Sequence, residues 1–171
     1  MRRLPVALLL TVAAFALAAG CSKPVDLKQA LQVTDLSGGF HDAGIVEGRN
    51  KVVPTVTFRL KKSTSDSLRP LSLNVVFKQL PKPGTAVAPG QPTENDWDEV
   101  FKQSVPFSGD QTELLTIRAG AGYTGDPPQT RADILKHSQF QDVRVHILAK
   151  HSSSQWVELA QFDLPRQILT P

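Results

Sequence analysis

Cys21 is the only cysteine among 171 residues, and it follows a short run of small and apolar side chains, Ala16, Leu17, Ala18, Ala19 and Gly20. A lone thiol has no disulfide partner, and it cannot supply the several thiolates of a structural zinc site. One sulfur can, however, carry a covalent attachment. The four histidines are scattered along the chain. His41 and Asp42, with Asp126 or Asp96, combine imidazole and carboxylate ligand types, but no loop has the ligand spacing of an EF-hand. No metal is expected. The serines of "STSDS" and "HSSSQ" lack the glycine flanks of a nucleophile elbow, and "AGAG" has neither the spacing nor the lysine of a phosphate loop. Glu94, Asp96, Asp98 and Glu99 invite a paired-carboxylate reading; beside a proline-rich stretch they read instead as a solvated surface. The residues therefore predict no catalytic group, no cofactor and no enzyme.

The N-terminus explains the sulfur. Two arginines, Arg2 and Arg3, precede an apolar run from Leu4 to Ala19. As a helix this run spans about 24 Å, short of the ~30 Å hydrocarbon core of a bilayer, and its charged start and small-residue end make a secretory signal. With the cysteine that follows, "LAAGC" resembles the signal of a bacterial lipoprotein. That resemblance implies removal of residues 1–20, a lipid such as palmitate on Cys21, a tether over 21–27 and a place in the cell envelope facing the periplasm. Ala18 stands where leucine is commonest in that signal, with Leu17 one place earlier. The other reading is an ordinary signal cleaved after Ala18 or Gly20, which leaves a thiol with no structural use. Ser22, where an aspartate is absent, implies the outer membrane in a diderm cell.

Losing Arg2 and Arg3 leaves 17 of the 19 basic residues against 16 acidic ones. The mature body is thus close to neutral, no basic run or face is visible, and nucleic-acid binding is disfavoured. No second apolar run of comparable length follows, so the mature chain is not expected to span a membrane. About 150 residues suffice for one domain with a real core, expected over 28–171.

Seven segments read as strands, most of them by alternation. In "PTVTFRLKK", Val56, Phe58 and Leu60 oppose Thr55, Thr57, Arg59 and Lys61. In "LSLNVVFKQL", Leu71, Leu73, Val75 and Phe77 oppose Ser72, Asn74 and Lys78. In "DVRVHILAK", Val143, Val145 and Ile147 oppose Arg144 and His146, which places His146 on a wet face. "QWVELAQFDL" follows across a polar link, with Trp156 and Phe162 on one parity and Val157 and Leu159 on the other. It reads as doubly buried, or as carrying an apolar patch for a partner. Residues 27–35, 99–107 and 111–119 are weaker candidates. One short helix is expected after Thr130, where Asp133 completes a capping box. "LPKPGTAVAPGQP" reads as a long exposed connection.

Alternation with one dry and one wet face favours antiparallel pairing. Seven short strands with scattered turns predict an all-β, immunoglobulin-like antiparallel β-sandwich with the short helix in a crossover. The stretch "STSDSLRPLSLNVVF" resembles the envelope modules grouped as FxLYD-like domains, although "VVFKQL" occupies the place of the FxLYD tetrapeptide. The resemblance implies a sandwich and an envelope setting, and no catalytic residues.

If consecutive strands reverse, connections alternate between the two ends of the sandwich. The long ones, 36–50, 81–97 and 120–141, fall at one end, and the short ones, 62–70, 108–110 and 151–154, at the other. The tether enters at the short-connection end, so the long connections face away from the membrane, where binding residues usually sit. Phe40, His41, Trp97 and Tyr123 are the candidate anchors there; the alternative is that Phe40 and Tyr123 fold back to close the core. The expected function is non-catalytic binding or scaffolding of another envelope protein. A carrier or chaperone with a groove between the sheets for a lipid or apolar peptide is the alternative.

Overall fold

Alternating side chains decide which face of each strand turns inward, and they do so here. The computed structural model describes residues 25–169 apart from 83 and 87; Cys21 and the leader before it lie outside the described residues. Val56, Phe58 and Leu60, then Leu71, Leu73, Val75 and Phe77, then Val143, Val145 and Ile147 are all fully buried. Three strands thus send one file of apolar side chains each into a common core.

The order is α1 (Leu27–Ala30), β1 (Leu31–Val46), β2 (Arg49–Lys62), β3 (Leu71–Gln79), β4 (Asn95–Lys102), β5 (Leu115–Arg118), β6 (Tyr123–Gly125), α2 (Arg131–Lys136), β7 (Val143–His151), β8 (Val157–Asp163) and β9 (Ile168–Leu169). One sheet runs β5-β2-β1-β9, with β6 also on β2, and the other β4-β3-β7-β8. Every pair is antiparallel except β1 with the short β9. The chain changes sheet after β2, β4, β6 and β8, and β1–β2, β3–β4 and β7–β8 are hairpins within a sheet while β5 and β6 both pair with β2, as in immunoglobulin-like sandwiches. Phe40, Phe58, Phe77 and the valines and leucines around them fill the space between the sheets. An inter-sheet carrier would need that same space as its groove.

Three expectations change. Residues 36–50 are not a loop. They are the outer half of β1, a tight turn at Glu47 and Gly48, and the start of β2, in register as Val46↔Arg49. Both turn residues have positive φ, 52° and 77°, the type I′ geometry that matches strand twist. Gly38 and Gly39, inside the strand, serve close packing. A Cβ on Gly38 would lie 2.6 Å from Leu164 and 2.7 Å from the Thr55 carbonyl, so the chain leading to β9 can press on β1 only where no side chain intervenes.

The strand expected over 99–107 sits earlier, at Asn95–Lys102, and the one over 111–119 shrinks to four residues. At the other end of the chain, residues 27–30 form one helical turn capped by Asp26 rather than strand, and Leu27, expected to close the tether, is 2 % exposed in the core. The helix after Thr130 forms with its full capping box.

The connections gather at two ends as expected, but not by length, since the β1–β2 connection is a tight turn and 103–114 is long. Ser63 bonds Ala30, Lys62 bonds Asp110 and Ser152 bonds Pro70, which gathers α1 and the connections 63–70, 103–114 and 152–156 at one end. At the other end, Arg49 pairs with Asp126, Arg131 with Asp42, and Leu80 bonds Asp142. That gathers the β1–β2 turn with the connections 80–94 and 126–142. Among the described residues no helix is long and apolar enough to cross a membrane.

Candidate functional site

The four expected anchors lie near one another, but not as a loop surface. Phe40 sits in β1 opposite Pro54 and is fully buried, which corrects its placement as an exposed anchor. Its ring meets Phe140 edge-on at 5.2 Å and Tyr123 at 6.3 Å. Tyr123 stacks at 4.4 Å on Phe140 and 4.8 Å on Trp97, which belongs to β4. These rings close the turn end of the core. The Tyr123 hydroxyl donates to the Gln141 carbonyl and accepts from Gln79, and burial pushes its pKa up. His41 stays in the β1 ladder opposite Val53 and makes no side-chain hydrogen bond. Its proposed cation partners are committed elsewhere, Asp42 to Arg131 and Asp126 to Arg49.

A different group of residues converges on the outer face of the β4-β3-β7-β8 sheet. Arg144 and His146 are two apart on β7 and so project together. His146, expected in solvent, is 7 % exposed. Its Nε2 lies 2.9 Å from Glu94 and its Nδ1 2.7 Å from Glu158. Arg144 donates to Glu94 at 2.8 Å and grips Asp163 through two nitrogens. Lys78 reaches Asp96 at 3.2 Å and Glu94 at 3.9 Å. The consequences are electrostatic. His146 holds the Glu158 carboxyl below its usual range, Arg144 does the same for Asp163, and the Asp163 carboxylate keeps Arg144 charged.

Glu94 is the organising group. It is the last residue before β4, and Lys78, Arg144 and the His146 ring hold it at 15 % exposure. The far end of the proline-rich connection is therefore fastened over the sheet rather than left in solvent. Asp98 fastens the other side of β4, accepting from the backbone N–H groups of Gly120 and Ala121. Two of the four acids read as solvated are thus structural fasteners. With its ring nitrogens facing Glu94 and Glu158, His146 ties the end of that connection to β7 and β8.

Beside it the sheet face hollows into a concavity of about 590 Å³ over Val76 and Leu148, rimmed by Lys78, Asp96, Glu99 and Glu158. At its α1 end Phe101 packs edge-on against Trp156 at 5.6 Å. The doubly apolar look of "QWVELAQFDL" is resolved by a bulge in β8. Glu158 pairs with Leu148 but Ala160 with Ile147, so parity switches between them. Trp156 and Glu158 face out, while Ala160 and Phe162 face in. The remaining exposed apolar side chains of note are Ile45 and Val46 at the β1–β2 turn, 68 % and 39 % exposed, and Leu114 before β5.

Compared with protein-family models, with curated proteins and with solved structures, the chain matches none.

Proposed function

We propose that the chain is a lipid-anchored protein of a bacterial cell envelope, attached through Cys21 and facing the periplasm. Its sandwich is a non-catalytic binding or scaffolding module for another envelope protein. The observation that supports this best is the opposition of the two ends. Residue 25 enters beside α1, whereas the β1–β2 turn presents Ile45 and Val46 at the far end of a 16-residue strand. At ~3.3 Å per residue the turn stands about 50 Å from the tethered end. A buried Phe40 moves the docking surface from the loop aromatics to this turn. A tether holds such a surface at high effective concentration relative to neighbours on the same membrane.

Two measurements test the reading together. Metabolic labelling with a palmitate analogue marks the wild-type chain and not Cys21→Ser, which leaves the membrane fraction in a high-salt wash. A photo-crosslinking residue at position 45 gives a defined adduct in living cells, while one at the exposed Thr116 on β5 gives none. A wild-type chain without label ends the anchor reading. Equal adducts, or none, at the two positions end the docking reading.

A further inference from the structure

Cations are distributed unevenly between the two ends. Toward the turn end, Arg49, Lys78, Arg131, Arg144 and Arg166 each have a carboxylate within 4.0 Å. Lys51 and Lys82 there bond the Gly120 carbonyl and Gln139 instead; at the α1 end Arg59 pairs with Asp35, whereas among the described residues Lys62, Arg69, Lys102 and Lys150 have no carboxylate within that distance. They lie beside aromatic rings instead. Lys150 sits 4.9 Å above Trp156 and Lys62 5.4 Å from Phe107, and Arg69 donates to the Phe107 carbonyl. Phe101, 48 % exposed, leans on Trp156 next to Lys102. The acids of this end, Asp26, Asp35, Asp66, Asp110 and Glu113, lie on α1's cap, on β1 and on the connections 63–70 and 103–114. On the flank carrying Phe101, Lys102, Lys150 and Trp156 the neighbouring acids, Glu99 and Glu158, turn to the concavity, where Glu99 accepts from Asn74 and Glu158 is bonded to His146.

Tryptophan bodied by apolar atoms and ringed by lysine is the composition of the bilayer–water boundary. We propose that the α1 end of the sandwich docks on an anionic lipid surface, with Trp156 and Phe101 at headgroup level and Lys62, Arg69, Lys102 and Lys150 against lipid phosphates. The proposal rests on Cys21 bearing the lipid. Three residues lie between Cys21 and Val25, four Cα steps that span at most about 14 Å of chain, so this end never leaves the neighbourhood of the headgroups. Opposite charge then decides the orientation. Each lysine or arginine near an anionic surface favours the docked state by about fivefold, and the attraction acts within a Debye length of roughly 8 Å at physiological salt. The sandwich stands upright on this face, and the β1–β2 turn points outward.

The chain has two tryptophans, and they lie toward opposite ends, which supplies the readout. The acylated protein is placed in vesicles of phosphatidylglycerol and brominated phosphatidylcholine. Trp97→Phe protein, reporting Trp156 alone, is quenched; Trp156→Phe protein, reporting Trp97 alone, is not. Adding Lys102→Glu and Lys150→Glu to the Trp97→Phe chain lowers the docked-to-undocked ratio at least about thirtyfold and removes the quenching. The same tryptophan variants made with Cys21→Ser and titrated with these vesicles read docking without the anchor, and high salt reverses it. Acylated protein that sediments with vesicles while Trp156 stays unquenched overturns the proposal, as does equal quenching of both tryptophans. Absence of the acyl mass overturns the anchor reading alone, since the Cys21→Ser arm still decides docking.

Discussion

Replacing Phe40 with alanine separates a ring that closes the core from a ring that meets a partner. Phe40 is fully buried between Phe140 and Tyr123. A large aromatic side chain buries about 150–250 Å², which at ~25 cal/mol/Å² is worth about 4–6 kcal/mol. That is an upper bound, because the unfolded chain already hides some of the surface, and buried Phe→Ala substitutions cost about 3–5 kcal/mol. Gly38 and Gly39 pack against Leu164 and Gln167, which limits collapse around the hole and argues for the middle of that range. In a domain of roughly 150 residues each kcal/mol moves Tm about 2–4 °C. Phe40→Ala is therefore expected to melt about 8–16 °C below wild type by far-ultraviolet circular dichroism. Ile45→Thr at the exposed turn is expected to stay within about 0.5 kcal/mol of wild type. A Phe40→Ala chain that melts within a degree or two of wild type refutes the packing argument.

Glu94→Gln removes a carboxylate held by Arg144 and His146. Hydrogen bonds to charged groups are worth about 1.5–3 kcal/mol, so unfolding in urea should come earlier by a loss of that size, with faster amide exchange along 80–94. Glu158 and Asp163 have folded pKa values below the ordinary 4.5 and 3.8. Their contribution is present above those values and is lost as pH falls through the depressed folded ones; the urea midpoint should drop in acid, and Glu158→Gln with Asp163→Asn should flatten that limb. Tyr123 is the only tyrosine and burial raises its pKa, so tyrosinate absorbance should appear with a midpoint above 10.0 and stability should decline as pH rises through it. Gly38→Ala forces a methyl onto the Thr55 carbonyl and should lower Tm, whereas Gly48→Asn, at a turn position that tolerates positive φ, should change it little.

The fold was legible where burial follows parity. Val56, Phe58 and Leu60 alternate with polar neighbours, and nothing in their surroundings competes with that signal. The capping box at Thr130 and Asp133 is equally local, because its two hydrogen bonds span three residues. What misled was composition standing in for geometry. "SGGF" and "AGIVEG" have the glycine content of loops, yet Gly38 and Gly39 are small because Leu164 and Gln167 arrive from more than 120 residues away in sequence. A turn glycine and a close-approach glycine are the same letter. Only the partner distinguishes them, and the partner is set by β9 lying against β1, a pairing of two residues in each strand with no sequence signature of its own.

The same physics hid the charged cluster. His146 lies on the wet parity of β7, and parity alone predicts solvent. Its burial depends on Glu94, 52 residues earlier in the chain, and on Glu158, brought to the outer face by the bulge in β8. Neither alternation nor motif spacing encodes a loop end folding across a sheet. A weak signal was present: Arg144 and His146 share a face, and Lys78 joins them from β3, where it pairs with Arg144 across the sheet. Adjacent strands that place a lysine beside an arginine have like charges 5 Å or so apart, an arrangement that is unfavourable unless an acid comes between. Glu94 is that acid. Crowded cations on a strand face therefore call for a carboxylate from elsewhere in the chain. In the docking proposed for the α1 end, the cations without a carboxylate partner meet that requirement with lipid phosphate from outside the polypeptide.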